Sequence, residues 1–235
     1  MDPASPGYGF YGKLITAGDF IRRGFPRDLY EHWDPWLQRG LVVSREQLGE
    51  TWLSAYLSAP IWRFALAAGV AGDRAWVGAM MPSVDRVGRY FPLTVVAEAP
   101  PGASVFSAAR AAEPWLQEVE QTLLETLEGE GIDADSLLER LAVPASLSAS
   151  PAPETSAAEE PPPHLAIQTS ARPDSDLIAR TMAALLARRQ LGAQVSLWWS
   201  AGSDRVAAGA RLYQGLPAES DFWRLLADDG PAIQP

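Results

Sequence analysis

Hydrophobic spacing along this chain switches between a period of two and a period close to four, the alternation expected of an α/β fold. Residues 8–14 alternate loosely and are aromatic-rich, which predicts a first strand interrupted by Gly9 and Gly12. Thr16-Ala17-Gly18-Asp19 breaks it, and residues 20–23 form either a helical turn or an extended segment. From Pro26 a helix is expected, with Asp28 and Glu31 near its positive end and Leu29, Trp33, Trp36 and Leu37 at helical spacing. Pro35 should bend or divide that helix and Gly40 should end it. Ser44 followed by Gln47 is a capping-box signature for a second helix, one that would bury Leu48, Trp52, Leu53, Tyr56 and Leu57 and stop before Pro60.

Three strands then form a meander over residues 61–67, 75–81 and 91–97. The first places Trp62, Phe64 and Leu66 on one side and Arg63 on the other; the last is apolar on both faces and so central in its sheet. Residues 70–74 make a hairpin turn. A long helix over 104–127, jogged at Pro114, carries Trp115, Val119, Leu123 and Leu127 as a core stripe backed by an acidic face. A shorter helix follows over 134–141. Residues 144–163 are rich in Ala, Ser, Pro and Glu, bury too little to offset ordering, and are predicted to be a flexible linker or loop. Beyond it come a strand (165–168), a helix (176–190), a strand containing Trp198-Trp199 (194–200), a weak strand (206–212) and a short helix (219–226). About seventy residues so poor in large apolar side chains would be marginal alone. The expected organisation is therefore a core over 1–143, the linker over 144–163, and a C-terminal part over 164–235 that packs on the same core.

Composition narrows the chemistry. The chain has no cysteine, so disulfides, thiol catalysis and cysteine-ligated zinc are excluded, and its two histidines, His32 and His164, lie far apart. No cofactor and no metal is expected. The net charge of −10 is concentrated in the middle: residues 8–97 hold ten basic and eight acidic side chains, whereas 98–163 hold two and thirteen. An acidic chain with no basic stripe argues against nucleic-acid binding. Eighteen of the nineteen basic residues are arginine, a usage that suits bidentate ion pairs. No signal-peptide pattern opens the sequence and no apolar run approaches a membrane span, so a cytoplasmic protein with no membrane insertion is expected.

The densest chemistry lies between the second and third meander strands, where Ser83, Asp85, Arg86 and Arg89 share one short loop with Gly88 at its turn. An arginine fork suits a phosphate or a carboxylate, so these four could serve as nucleophile, base and anion clamps of a phosphohydrolase-like site. No Walker-type glycine loop or nearby histidine accompanies them. The simpler reading is structural: Asp85 pairs with an arginine, Arg63 or Arg86, and pins the loop. A third reading makes the loop a protein-docking surface. Asp19 either caps the following turn or shares that surface with Arg22 and Arg23. The Trp33/Trp36 and Trp198-Trp199 pairs read first as packing and second as stacking platforms for a ligand. The acidic helix is either a solvated face or a site for a basic partner.

Several of these stretches together resemble one family. Gly9-Phe10-Tyr11-Gly12-Lys13-Leu14, Gly18-Asp19-Phe20 and Arg23 are similar to the opening of the TagF family of type VI secretion accessory proteins. Trp33-Asp34-Pro35-Trp36-Leu37, Trp52 with Tyr56-Leu57, and Pro60-Ile61-Trp62-Arg63-Phe64 continue the resemblance. Residues 81–93, from Met81-Pro82-Ser83 to Phe91-Pro92-Leu93, match its strongest signature, and Ser196-Leu197-Trp198-Trp199 with Gly215-Leu216-Pro217 resembles its C-terminal part. Ile15-Thr16 departs from the proline that commonly follows the first strand. The resemblance implies a single α/β domain, a mainly antiparallel sheet flanked by helices in a longin-like sandwich. It also implies a non-enzymatic, cytoplasmic, post-translational repressor that binds the forkhead-associated scaffold protein Fha and other type VI assembly components. The partner surface expected on that basis comprises Asp19, Arg22, Arg23, Ser83, Arg86, Arg89 and Tyr90, with Arg63 and Asp85 as an ion-pair lock.

Overall fold

A computed structural model describes residues 7–128, 132–143, 194–228 and the backbone of 164–168. Eight strands form one sheet: β1 (Tyr8–Gly12), β2 (Ile21–Arg23), β3 (Trp62–Leu66), β4 (Trp76–Met81), β5 (Leu93–Glu98), β6 (His164–Gln168), β7 (Val195–Ser200) and β8 (Gly209–Gln214). Their order across the sheet is β2-β1-β5-β4-β3-β7-β8-β6, and every neighbouring pair is antiparallel. The meander is therefore its centre, with β5 between β1 and β4. The C-terminal strands extend that same sheet, Phe64 of β3 lying opposite Trp198 of β7.

Helices cover both faces, which is why the central strands are buried on both sides. On one face lie α3 (Val105–Glu125) and α4 (Ala134–Arg140), packed through Ala108, Ala112, Trp115 and Leu116 onto Ala65, Val77, Ala79 and Val95. On the other lie α1 (Arg27–Leu48), α2 (Trp52–Leu57) and a 3-10 helix over Glu219–Leu225. There Trp33 stacks on Trp198 with ring centroids 5.9 Å apart, and Phe64 packs 4.8 Å from Trp33. The tryptophan pairs are core, all four side chains being buried.

Four expectations are corrected. Helix α1 runs through Pro35 and Gly40 as one piece of 22 residues and ends at Gly49, whose φ of 52° is a backbone conformation that favours glycine. Gly40 is there for space: a Cβ at that position would lie 2.3 Å from the Phe222 ring. Ser44 caps nothing; its hydroxyl donates to the Leu41 carbonyl and accepts from the Trp52 indole N–H at 3.0 Å. Leu53 and Leu57, expected in the core, are exposed on the outer side of the short α2. The weak strand begins three residues late, at Gly209, because residues 203–206 close a turn in which the Ser203 N–H donates to the Val206 carbonyl. The 144–163 linker and the 176–190 helix lie outside the described residues.

Candidate functional site

The loop between β4 and β5 folds back on itself. Val84 bridges Tyr90, the Phe91 N–H donates to the Ser83 carbonyl, and Gly88 closes the turn at a φ of 84°. Asp85 lies beneath that turn with its side chain fully buried. One carboxylate oxygen accepts the N–H groups of Val87 at 3.1 Å and Arg89 at 2.9 Å. The other accepts Arg89 Nε at 2.7 Å and the ammonium of Lys13. Burial alone would raise the Asp85 pKa; the Lys13 ammonium and the Arg89 and Val87 donors outweigh it and hold the carboxyl well below the usual range.

Each neighbouring piece is placed by a strand or helix end. Lys13 follows Gly12, where a Cβ would stand 2.0 Å from the Pro92 carbonyl oxygen, so only glycine lets β1 approach the loop this closely. Ser83 is buried, and its hydroxyl donates to the Lys13 carbonyl at 2.8 Å. The Tyr56 hydroxyl of α2 accepts the Ser83 N–H at 3.0 Å and donates to the Ser83 carbonyl at 2.9 Å. Burial pushes the Tyr56 hydroxyl pKa up, so it stays protonated in that double role. The loop also grips the turn after β1: the Arg86 N–H donates to the Ala17 carbonyl at 2.9 Å, and Arg89 donates to the Gly18 carbonyl at 2.6 Å.

The lock expected between Arg63 and Asp85 is instead two separate locks. Arg63 points to the α3 face, where it donates to Glu120 through Nε at 2.7 Å and to Glu113 at 2.8 Å. Strand alternation decides this: on β3, Arg63 must face away from Trp62 and Phe64. Asp85 takes Lys13 and Arg89. Ser83 also leaves the expected partner surface, because its hydroxyl is enclosed. Arg86 and Arg89 are exposed at the tip, while Tyr90 is half-buried, its ring edge-on to Tyr56 at 5.8 Å. Asp19 is exposed and accepts the Phe20 N–H at 2.8 Å, a local turn contact. Arg22 stacks over Tyr30 at 4.6 Å, and Arg23 makes an exposed ion pair with Asp135 of α4 at 3.4 Å.

Sequence reasoning missed Lys13 and Tyr56 as the loop's anchors. Lys13 carried a signal, being the single lysine in a chain with eighteen arginines. A compact ammonium fits a buried slot that a five-donor guanidinium could not satisfy. Tyr56 carried none, since it sits within an ordinary apolar stripe. The acidic helix spends much of its charge internally, Glu113 and Glu120 on Arg63 and Glu125 on Arg140. Among the described residues no group of three or more His, Cys, Asp or Glu is placed to hold a metal, and no helix is long and apolar enough to cross a membrane.

The fold and the loop together define an α/β sandwich, an antiparallel sheet between two helical layers, that carries an arginine-tipped loop at one end of its central strands. The family model described as the TagF N-terminal domain, type VI secretion system-associated, matches residues 9–143, and the chain belongs to that family. The chain is also similar to PA0076 from Pseudomonas aeruginosa PAO1, whose crystal structure shares 38% identity and a TM-score of 0.72 over 97% of each chain. No curated protein matches it.

Proposed function

We propose that this protein is a non-enzymatic regulator that represses type VI secretion post-translationally in the cytoplasm, by docking on the forkhead-associated scaffold Fha. Membership of a type VI secretion-associated family sets the process. One observation supports docking over chemistry: the loop uses its carboxylate and its hydroxyl internally and leaves its arginine tip exposed. A phosphohydrolase would need Asp85 free to act on substrate, yet that side chain is enclosed by Lys13, Arg89 and two backbone N–H groups. Recruitment of a basic partner by α3 is weakened likewise, because its glutamates at 113 and 120 hold Arg63.

Arg86 is the cleaner probe, since Arg89 also holds the loop. Purified Arg86→Ala and Arg86→Glu variants with wild-type circular dichroism should capture Fha from cell extract at least about tenfold less well, the loss expected of an interface hot spot. Full capture by a folded Arg86→Glu variant would remove the loop tip as the docking surface. Nucleotide- or metal-dependent turnover by the wild-type protein would overturn the non-enzymatic reading.

A further inference from the structure

We propose that the groove between the C-terminal half of α1 and the aromatic residues beside the loop seats an acidic segment of a partner protein, one carrying apolar anchors along one face. The proposal rests on the docking reading above for there being a protein partner, and it places the main contact beside the loop tip.

The stripe Leu29, Trp33, Trp36, Leu37, Gly40, Ser44 and Leu48 buries α1 against the sheet, and that satisfies the helix as a structural element. A second stripe, Gln38, Leu41, Val42, Arg45 and Glu46, repeats every three to four residues on another face. It runs for about 12 Å along the helix axis. Facing it stand Phe20, Trp52, Tyr90 and Phe91, and together the two walls enclose a groove of about 610 Å³. Val42 is 58% exposed and Phe20 45%, an expense of apolar surface that the fold itself does not require.

Charge selects the occupant. The Arg45 guanidinium carbon lies over the Trp52 ring at 4.1 Å from its centroid, and that of Arg22 over Tyr30 at 4.6 Å. Tyr30 connects to Phe20 through Tyr11, with centroid separations of 5.0 and 6.0 Å. A guanidinium stacked on a ring keeps its in-plane N–H donors free for a carboxylate fork. Among the described residues neither of these arginines, nor Arg86, has a carboxylate within ion-pair distance. Glu46 is the sole carboxylate among the residues lining the groove. An open cleft along a helix, apolar in its floor and bearing the unpaired Arg45 guanidinium among its lining residues, fits an amphipathic acidic segment laid against α1. A small molecule is the poorer fit, because a drug-sized ligand is normally buried over most of its surface and Val42 stands largely in solvent.

The test uses fluorescein-labelled amphipathic peptides of about 16 residues, long enough to span the stripe. One carries leucines at helical spacing and glutamates elsewhere, one has each glutamate replaced by lysine, and one has each leucine replaced by serine. The acidic leucine peptide should bind the full-length protein in fluorescence anisotropy, with affinity falling as salt rises. The lysine and serine peptides, and the Val42→Glu and Arg45→Glu variants, should each bind at least about tenfold more weakly. Both substituted positions are solvent-exposed, so folding is expected to survive and is checked by circular dichroism. Absence of binding, equal binding of the lysine peptide, or undiminished binding by both variants overturns the proposal. So does a dimer in sedimentation that Val42→Glu abolishes, since it would give the groove to a second copy of the chain. Failure of Fha capture would strike the choice of scaffold and leave the peptide result standing.

Discussion

At the residue scale the decisive object is Asp85, a carboxylate with no exposure that stays ionised because four donors converge on it. Its folded-state pKa is depressed, so its contribution to stability is present above the ordinary carboxylate value of about 3.9 and is lost as pH falls below it. Denaturant titrations carried from neutral pH down to about pH 2 should show that decline in the wild type. In Asp85→Asn the decline should flatten, and the melting temperature at neutral pH should drop by several degrees, because the buried Lys13 ammonium is left without its counter-charge. An unchanged acid slope in the variant would mean that the Asp85 cluster does not couple to folding. From the loop's own residues only part of this was visible. They suggested an arginine partner for Asp85, and the pairing with Lys13 spans 72 positions of sequence.

At the element scale α1 is the instructive case. Gly40 and Pro35 argued for two helices by local propensity, and packing overrode both. Replacing Gly40 by Ala would gain about 1 kcal/mol of intrinsic helix propensity. It would also force a methyl group into the Phe222 ring at 2.3 Å, and overpacking of this kind costs about 1–3 kcal/mol. Steric cost should win: Gly40→Ala is expected to be less stable than wild type in chemical denaturation. Adding Phe222→Leu should recover part of the loss, a non-additive outcome expected of two groups in contact. A stabilised Gly40→Ala protein would show that the ring moves freely aside. The continuity of α1 also bears on the proposed groove, because the stripe from Gln38 to Glu46 exists as one face only if the helix passes Gly40 unbroken.

At the scale of the whole molecule, the family match ends at residue 143 while the core does not. Strand β7 covers the edge of β3, Trp198 fills the space between Trp33, Trp36 and Phe64, and Phe222 packs on Trp36 at 5.3 Å. A fragment ending at residue 143 should therefore retain helical far-ultraviolet signal but lose near-ultraviolet structure and a cooperative thermal transition. Its exposed β3 edge would favour aggregation. A sharp, reversible melt for that fragment would show that the first 143 residues hold a self-sufficient core. Charge is arranged on this scale as well: in a chain of net charge −10, three of the guanidiniums without an ion pair among the described residues, Arg22, Arg45 and Arg86, are exposed on the face that carries the loop.

Period and punctuation alone determined the meander, the long α3, the central place of β5 and the location of the charged loop, because each depends on neighbours within a few residues of one another. The absence of cysteine and the spacing of the histidines likewise needed only the sequence. What the tertiary structure decided were the pairings of charges and the fate of glycines. Arg63 went to Glu113 and Glu120, Asp85 to Lys13 and Arg89, and Gly40 stayed helical beneath Phe222. The physical reason is common to all three. A buried charge or a missing side chain is satisfied by whatever the fold brings within a few ångströms, and here the partners lie 57, 72 and about 180 positions away along the chain.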